Sequence, residues 1–262
     1  MSAIILNNGI VHYEVLGRGK PVIFLHSWIG SWRYWIPTMQ SASTSFRAYA
    51  LDFWGFGSTH KVPSRYPLDQ QVILLNDFVE FLGVQSFSLV GHGLGGIISS
   101  YYAGDHPETV ERLMVISFPM GIKSASPRLN SMSPEESANW LMGDDSTNFE
   151  SRADATKADP QAISITLAQY NQVNWRQLIK RVPVSSIWIH GQYDQAINFP
   201  TEEQLNYLPE LADHLTFGES GHYPMLDEPA KFNRLLIKFL KLAPGDDPRL
   251  LDLKPMWKRR VR

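Results

Sequence analysis

The residues that could do chemistry gather around the stretch Phe87-Ser88-Leu89-Val90-Gly91-His92-Gly93-Leu94-Gly95-Gly96-Ile97-Ile98. A short apolar run meets a cluster of small residues, and a helix-like run follows. That pattern predicts a strand, a very tight turn and a helix. Gly93, at the tip of the turn, has no side chain with which to attack anything. Two titratable residues sit just beyond later apolar runs: Asp194 after 184–189 and His222 after 214–217. An imidazole oriented by a carboxylate can take a proton from a water or from a substrate. Taken singly, an Asp or a His in such a loop is ordinarily structural. The chain contains no cysteine, so disulfides, thiolate metal sites and a Cys nucleophile are all excluded. Their absence fits a cytoplasmic protein.

These groups have to be positioned by the elements around them. Residues 3–6 and 10–15 are β-prone runs joined by Asn7-Asn8-Gly9, which reads as a hairpin. Residues 21–25 form a continuous apolar run, the mark of a strand buried on both faces of a parallel sheet. Residues 46–51 form another strand. Pro67 opens a helix whose apolar face is read as Leu68, Val72, Leu75, Val79 and Leu82, and Gly83 ends it. Strands at 113–117, 184–189 and 214–217 follow, with helices at 201–208 and from Pro229. The last helix carries Phe232, Leu235, Leu236, Phe239 and Leu240 on one face. Alternating strands and amphipathic helices predict an α/β fold with a mostly parallel sheet.

From 119 to 182 strand signals vanish. Ser133-Pro134-Glu135-Glu136 is a capping box with Pro at the first helical position, and Asp159-Pro160 starts a helix to about Gln172. The expected organisation is an α/β core over 1–118 and 183–242, a small helical cap over 119–182, and a tail over 243–262. Five of the last nine residues are Lys or Arg, and the tail is expected to be solvated and partly disordered. With 24 basic and 26 acidic residues, the formal charge of −2 argues against nucleic acid or a strongly charged substrate as partner. The N-terminus lacks the pattern of a signal peptide, and no uncharged run approaches membrane-spanning length. The expected partner is therefore a small molecule, with neither nucleic acid nor integral membrane association. Oligomeric state stays open.

Five motifs together resemble the α/β-hydrolase family over roughly residues 3–242. They are His26-Ser27-Trp28-Ile29, Asp52-Phe53-Trp54-Gly55-Phe56-Gly57, Gly91-His92-Gly93-Leu94-Gly95, Gly191-Gln192-Tyr193-Asp194 and Ser220-Gly221-His222-Tyr223-Pro224. The resemblance implies an α/β-hydrolase fold and an esterase- or lactonase-like ancestry. It makes Asp194 the acid that orients His222, and His222 the base, in the chain order of that fold. It places oxyanion-hole N–H groups on Trp28 and Leu94, each worth roughly 3 kcal/mol in the transition state. The turn has the family form Gly-x-nucleophile-x-Gly, with Gly93 at the vacant nucleophile position. Ser27 stands where the first motif usually has Gly. Trp28, His92 and Trp140 are expected to contact substrate in an aromatic pocket beneath the cap. Trp140, Tyr170 and Trp175 equally suit a core between cap and body. His26, His106 and His190, and His92 too, are explicable as loop or turn residues. Neither a metal nor an organic cofactor is implied.

Gly93 permits three readings. Covalent catalysis is lost and the pocket binds or senses a ligand. Alternatively, His222 works non-covalently, activating a water or abstracting a proton, with the reacting atom in the space that Gly93 vacates. A third reading is a Ser-to-Gly replacement made to trap substrate. The preferred expectation is non-covalent hydrolysis of a small, partly hydrophobic ester, lactone or carbonyl compound. Ser27 is the one attractive substitute hydroxyl, but its attack would need a different direction relative to the N–H donors, and it is not expected to serve. Ser99 and Ser100 lie too far down the helix.

Overall fold

The computed structural model describes residues 2–253. The chain opens with a hairpin of β1 (Ser2–Leu6) and β2 (Gly9–Gly17). Asn7 and Asn8 both take positive φ at the turn, which short polar side chains tolerate. Then come β3 (Lys20–Leu25), helix α1 (Ile36–Ala42), β4 (Phe46–Leu51), α2 (Leu68–Leu82), β5 (Phe87–His92), α3 (Leu94–Asp105) and β6 (Val110–Ile116). The eight strands form one sheet in the order β1-β2-β4-β3-β5-β6, continued by β7 (Ser186–Gly191) and β8 (Ala212–Phe217). β2 runs antiparallel to both of its neighbours, and the strands from β4 through β8 pair parallel.

The continuous apolar strands have a simple cause. In β3, Ile23 and Leu25 enter the core on one face of the sheet, and Val22 and Phe24 enter the core on the other. The same split holds in β6, with Leu113 and Val115 on one side and Met114 and Ile116 on the other. Because successive side chains point to opposite faces, a strand covered on both sides must be apolar throughout. Each such side chain contributes about 1.5–3 kcal/mol of burial.

Helix α2 has the bounds read from the sequence, and Gly83 closes it in the left-handed conformation. Its buried face is rotated from the expected stripe to Leu68, Gln71, Leu74, Leu75, Phe78 and Val79. Gln71 is buried because its amide is fully used: Oε1 accepts from the Trp54 N–H and Nε2 donates to the Trp54 carbonyl, both at 3.0 Å. Val72 and Leu82 flank the core as partly buried neighbours.

Between β6 and β7 the chain forms five helices, α4 (Arg128–Ser131), α5 (Pro134–Met142), α6 (Phe149–Ala155), α7 (Pro160–Tyr170) and α8 (Trp175–Lys180), with one 3₁₀ turn before α6 and an isolated bridge from Ala125 to Ile197. The capping box at Ser133 and Glu136 forms. This insertion is tied to the loops at the carboxyl ends of the strands. The Asp159 N–H donates to the Gly55 carbonyl at 2.8 Å, the Tyr66 hydroxyl to Asp159 at 2.7 Å, and the Tyr170 hydroxyl to the Pro119 carbonyl. Tyr170 and Trp175 are buried in the core. After β7 come the short α9 (Glu202–Leu205), α10 (Pro224–Asp227) and α11 (Pro229–Leu240), and all five apolar residues expected of α11 are buried. Among the described residues no helix is long and apolar enough to cross a membrane.

The tail departs from expectation where it is described. Leu251 and Leu253 are 6% and 5% exposed and join the core beneath α11. Ser185 Oγ donates to the Asp246 carbonyl at 2.8 Å, and the buried Arg112 guanidinium donates to the Leu242 carbonyl. Two leucines spaced by one charged residue cover an apolar edge that the helix leaves open. The basic stretch 254–262 lies outside the described residues. Leu251→Ala and Leu253→Ala are each expected to cost about 2 kcal/mol or more, read as a lowered urea midpoint. An unchanged midpoint in both variants would show that these leucines do not pack in solution.

Candidate active site

The tight turn after β5 has Gly93 at φ 51° and ψ −110°, a conformation that strains any residue with a Cβ. Two further glycines let α3 start against the sheet. A Cβ at Gly91 would lie 2.3 Å from the Gly95 carbonyl oxygen, and one at Gly95 would lie 2.3 Å from that of Leu25. The Gly95 N–H donates to the His26 carbonyl at 3.0 Å, which clamps the loop after β3 onto the start of α3.

That loop is fixed from several sides. His26 Nδ1 donates to the Ser27 carbonyl at 2.7 Å, and His26 Nε2 accepts the Phe53 N–H at 3.1 Å. Burial lowers the His26 pKa, so the ring stays neutral and this pair of roles persists. The Ser27 N–H donates to the Tyr34 hydroxyl at 2.8 Å, and Tyr34 is 2.9 Å from His92 Nδ1. Buried Asp52 accepts from the Trp32 and Ser58 N–H groups at 2.8 and 3.1 Å and from His12 at 2.9 Å. A Cβ at Gly57 would strike its carboxylate, and one at Gly55 would strike Ala162 and Tyr66, so both glycines of the second motif answer to close packing.

Asp194 and His222 come from the loops after β7 and β8. These loops touch through backbone: a Cβ at Gly191 would lie 2.0 Å from the Gly221 oxygen, and the Tyr193 N–H donates to the Ser220 carbonyl at 2.9 Å. His222 Nδ1 stands 2.9 and 3.1 Å from the two Asp194 oxygens. Asp194 Oδ1 also accepts the Ala196 and Ile197 N–H groups at 2.8 and 2.9 Å. Burial alone would raise the Asp194 pKa. The His222 charge and hydrogen bond, the Ile197 N–H and Ser117 outweigh it and hold the carboxyl at about 2. Asp194 is thus ionised and accepts a hydrogen bond from His222 Nδ1, which turns Nε2 to the opposite side, toward Ser27.

Ser27 Oγ is 3.2 Å from that Nε2. A Cβ built on Gly93 would lie 2.2 Å from Ser27 Oγ and 3.4 Å from Trp28 Cε3. The space that the sequence reading left open at Gly93 is therefore filled, chiefly by the Ser27 hydroxyl. Sequence reasoning had set Ser27 aside. The signal that could have found it is reciprocal: Ser stands where the first motif has Gly, and Gly stands where the third has a nucleophile.

The remaining site residues fall as follows. Leu94 is the first residue of α3, where its N–H has no intrahelical acceptor, and among the described residues no backbone carbonyl takes the Trp28 N–H. The Trp28 indole N–H donates to Thr166 of α7 at 3.0 Å, joining the loop to the helical insertion. His92 is fully buried among Tyr34, Trp35 and Tyr223, with its ring centroid 4.4 Å from that of His222. Burial and the neighbouring His222 push its pKa well down, so it packs against His222 as a neutral ring. Trp140 of α5 donates to Gln195 at 2.7 Å, beside the acid loop. Ser99 and Ser100 donate back to the Gly95 and Gly96 carbonyls at 2.5 and 2.7 Å. Among the described residues no cluster of His, Asp and Glu is placed to hold a metal ion.

Residues 20–157 match the family model of the alpha/beta hydrolase fold. The chain belongs to that family. It is 22% identical over 256 residues to the pimeloyl-[acyl-carrier protein] methyl ester esterase of Vibrio cholerae, covering 87% of this chain and 97% of that protein. It is 28% identical over 120 residues to the soluble epoxide hydrolase of Corynebacterium sp., a match covering 46% of this chain and only 42% of that protein. The enol-lactonase of Burkholderia xenovorans superposes with a TM-score of 0.79 at 16% identity, over 92% of this chain and 100% of that one.

A carboxylate held at about 2 stabilises the fold at any pH above the ordinary carboxylate range, and that contribution is lost as the pH falls through the folded value. Stability worth about 2 kcal/mol is expected to vanish between about pH 4 and pH 2, and Asp194→Asn should lack that step. Parallel unfolding curves for the two proteins across this window would show that the carboxylate is not held low.

Proposed function

We propose that this α/β-hydrolase acts on a small, neutral, partly hydrophobic ester or lactone. His222 serves as general base and then as general acid, and Asp194 orients its ring. The observation that carries this reading is the bidentate approach of Asp194 to His222 Nδ1, in a site where the carboxylate is ionised and Nε2 faces a hydroxyl. An imidazole oriented through one ring nitrogen keeps the other for proton transfer.

The Trp28 and Leu94 N–H groups are proposed to hold the developing oxyanion, where fixed donors cost no reorganisation. Trp28 and Trp140 are the aromatic side chains proposed to meet substrate, and the helical insertion is proposed to act as the cap above it. The neutral polar groups around the dyad, the Tyr34 hydroxyl and the His26 and His92 rings, favour an uncharged ligand over an ionic one. The esterase and lactonase names among the similar proteins support the same substrate class, and the absence of cysteine supports a cytoplasmic setting.

The elbow itself supplies no attacking atom, which also leaves a ligand-binding protein without turnover as the competing reading. Hydrolysis of short-chain chromogenic esters and lactones by the wild type and by His222→Ala separates the two. Turnover that falls about a thousandfold in His222→Ala is expected. Saturable ligand-induced stabilisation with no turnover in either protein would instead establish the binding protein.

A further inference from the structure

We propose that the nucleophile of this protein is Ser27, displaced from the elbow to the facing loop. The proposal rests on the reading of His222 and Asp194 as a working dyad, and it names the oxygen that the dyad activates. Three observations converge on it. Ser27 Oγ is 3.2 Å from His222 Nε2, the ring nitrogen opposite the one that meets Asp194. Ser27 Oγ also lies 2.2 Å from where a Cβ on Gly93 would stand, so it fills the space that an elbow side chain would enter. Finally, the two positions exclude each other. With Ser27 in this rotamer no side chain fits at 93, so Gly93 is the residue that an active Ser27 requires.

The Ser27 backbone is held as a nucleophile's must be. Its N–H is tied to Tyr34, its carbonyl to His26, and its neighbour Trp28 to Thr166. Since the oxygen's place is set by one torsion on a fixed backbone, little freedom is lost on reaching an attacking geometry. The proposal keeps the same two donors and has Ser27 attack from the loop side of the turn. Trp28 follows Ser27 in the chain, and Leu94 follows Gly93, whose Cβ position adjoins Ser27 Oγ.

The chemistry balances with a water as the only co-reactant. Ser27 Oγ forms a bond to the ester carbonyl carbon while its proton passes to His222 Nε2. The carbonyl π pair moves onto oxygen, facing the Trp28 and Leu94 N–H groups. Collapse of this intermediate breaks the bond to the alkoxy oxygen, which leaves with the proton from His222. A water then gives its proton to His222 Nε2 and attacks the acyl-Ser27 carbonyl. Ser27 Oγ departs, recovering that proton, and the acid is released.

The test combines ester turnover with a fluorophosphonate probe, whose fluoride is displaced by an activated serine, and peptide mass spectrometry of the wild type, Ser27→Ala and His222→Ala. The expected result is a single phosphonyl group on the Ser27 peptide of the wild type, absent in Ser27→Ala. Ester turnover should fall about a thousandfold in both variants. Turnover that needs His222 but survives in Ser27→Ala within about threefold would overturn the proposal, because the attacking oxygen would then be a water; the function proposed above would stand. A wild-type Ser27 peptide that stays unmodified while the enzyme turns over ester would overturn it as well. Turnover independent of both residues would sink the dyad reading itself, together with this inference.

Discussion

The arrangement depends on a backbone contact between two segments far apart in the chain: the Gly95 N–H donating to the His26 carbonyl across the carboxyl ends of β3 and β5. Those strands are parallel neighbours, with Leu25 opposite Gly91, so their following loops emerge side by side. They can close to hydrogen-bonding distance only because Gly91 and Gly95 lack side chains, since a Cβ on either would sit inside a neighbouring carbonyl. The contact brings Ser27 and Trp28 over the tip of the turn. With a bulkier residue at 95 the loop would stand away from α3, and Ser27 would lose both His222 and the space over Gly93.

Around this contact the interior is polar but balanced. Two buried carboxylates, Asp52 and Asp194, each accept backbone N–H groups and hydrogen-bond to an imidazole. An unpaired buried carboxylate would be costly, so these partners are what make such burial tolerable. The two differ in what the imidazole does next. His12 lies on β2 beside Glu14 and Trp32, and with Asp52 it braces the loop. His222 presents its second nitrogen to a hydroxyl. The buried neighbours Tyr34 and Tyr223 have pKa values raised well above the ordinary, and His92 has one well below, so all three stay neutral and add no competing charge to the dyad.

Much of the fold was legible because its signals are local. The Asn7-Asn8-Gly9 turn, the αL stop at Gly83 and the capping box at Ser133 are set by the conformational preferences of a few consecutive residues. Strands buried on both faces announce themselves as unbroken apolar runs. The legible limits were set by packing. Gln71 falls outside the apolar periodicity because its burial is made tolerable by Trp54, seventeen residues earlier, and by the Tyr66 carbonyl. Leu251 and Leu253 sit in a stretch rich in Pro and Asp, and only the open edge beneath α11 makes burying them favourable.

In the site the division is the same. Residue types and their order along the chain determined by themselves that the elbow carries no side chain, and that an Asp and a His follow the right strands. Those are properties of single positions, readable from spacing. Only the tertiary structure decided that Ser27 takes the room at Gly93 and stands 3.2 Å from His222, 195 positions away. That outcome turns on one side-chain torsion and on the meeting of three loops. No local preference encodes either, because the sheet register and the close backbone approach at Gly91 and Gly95 fix where those loops converge.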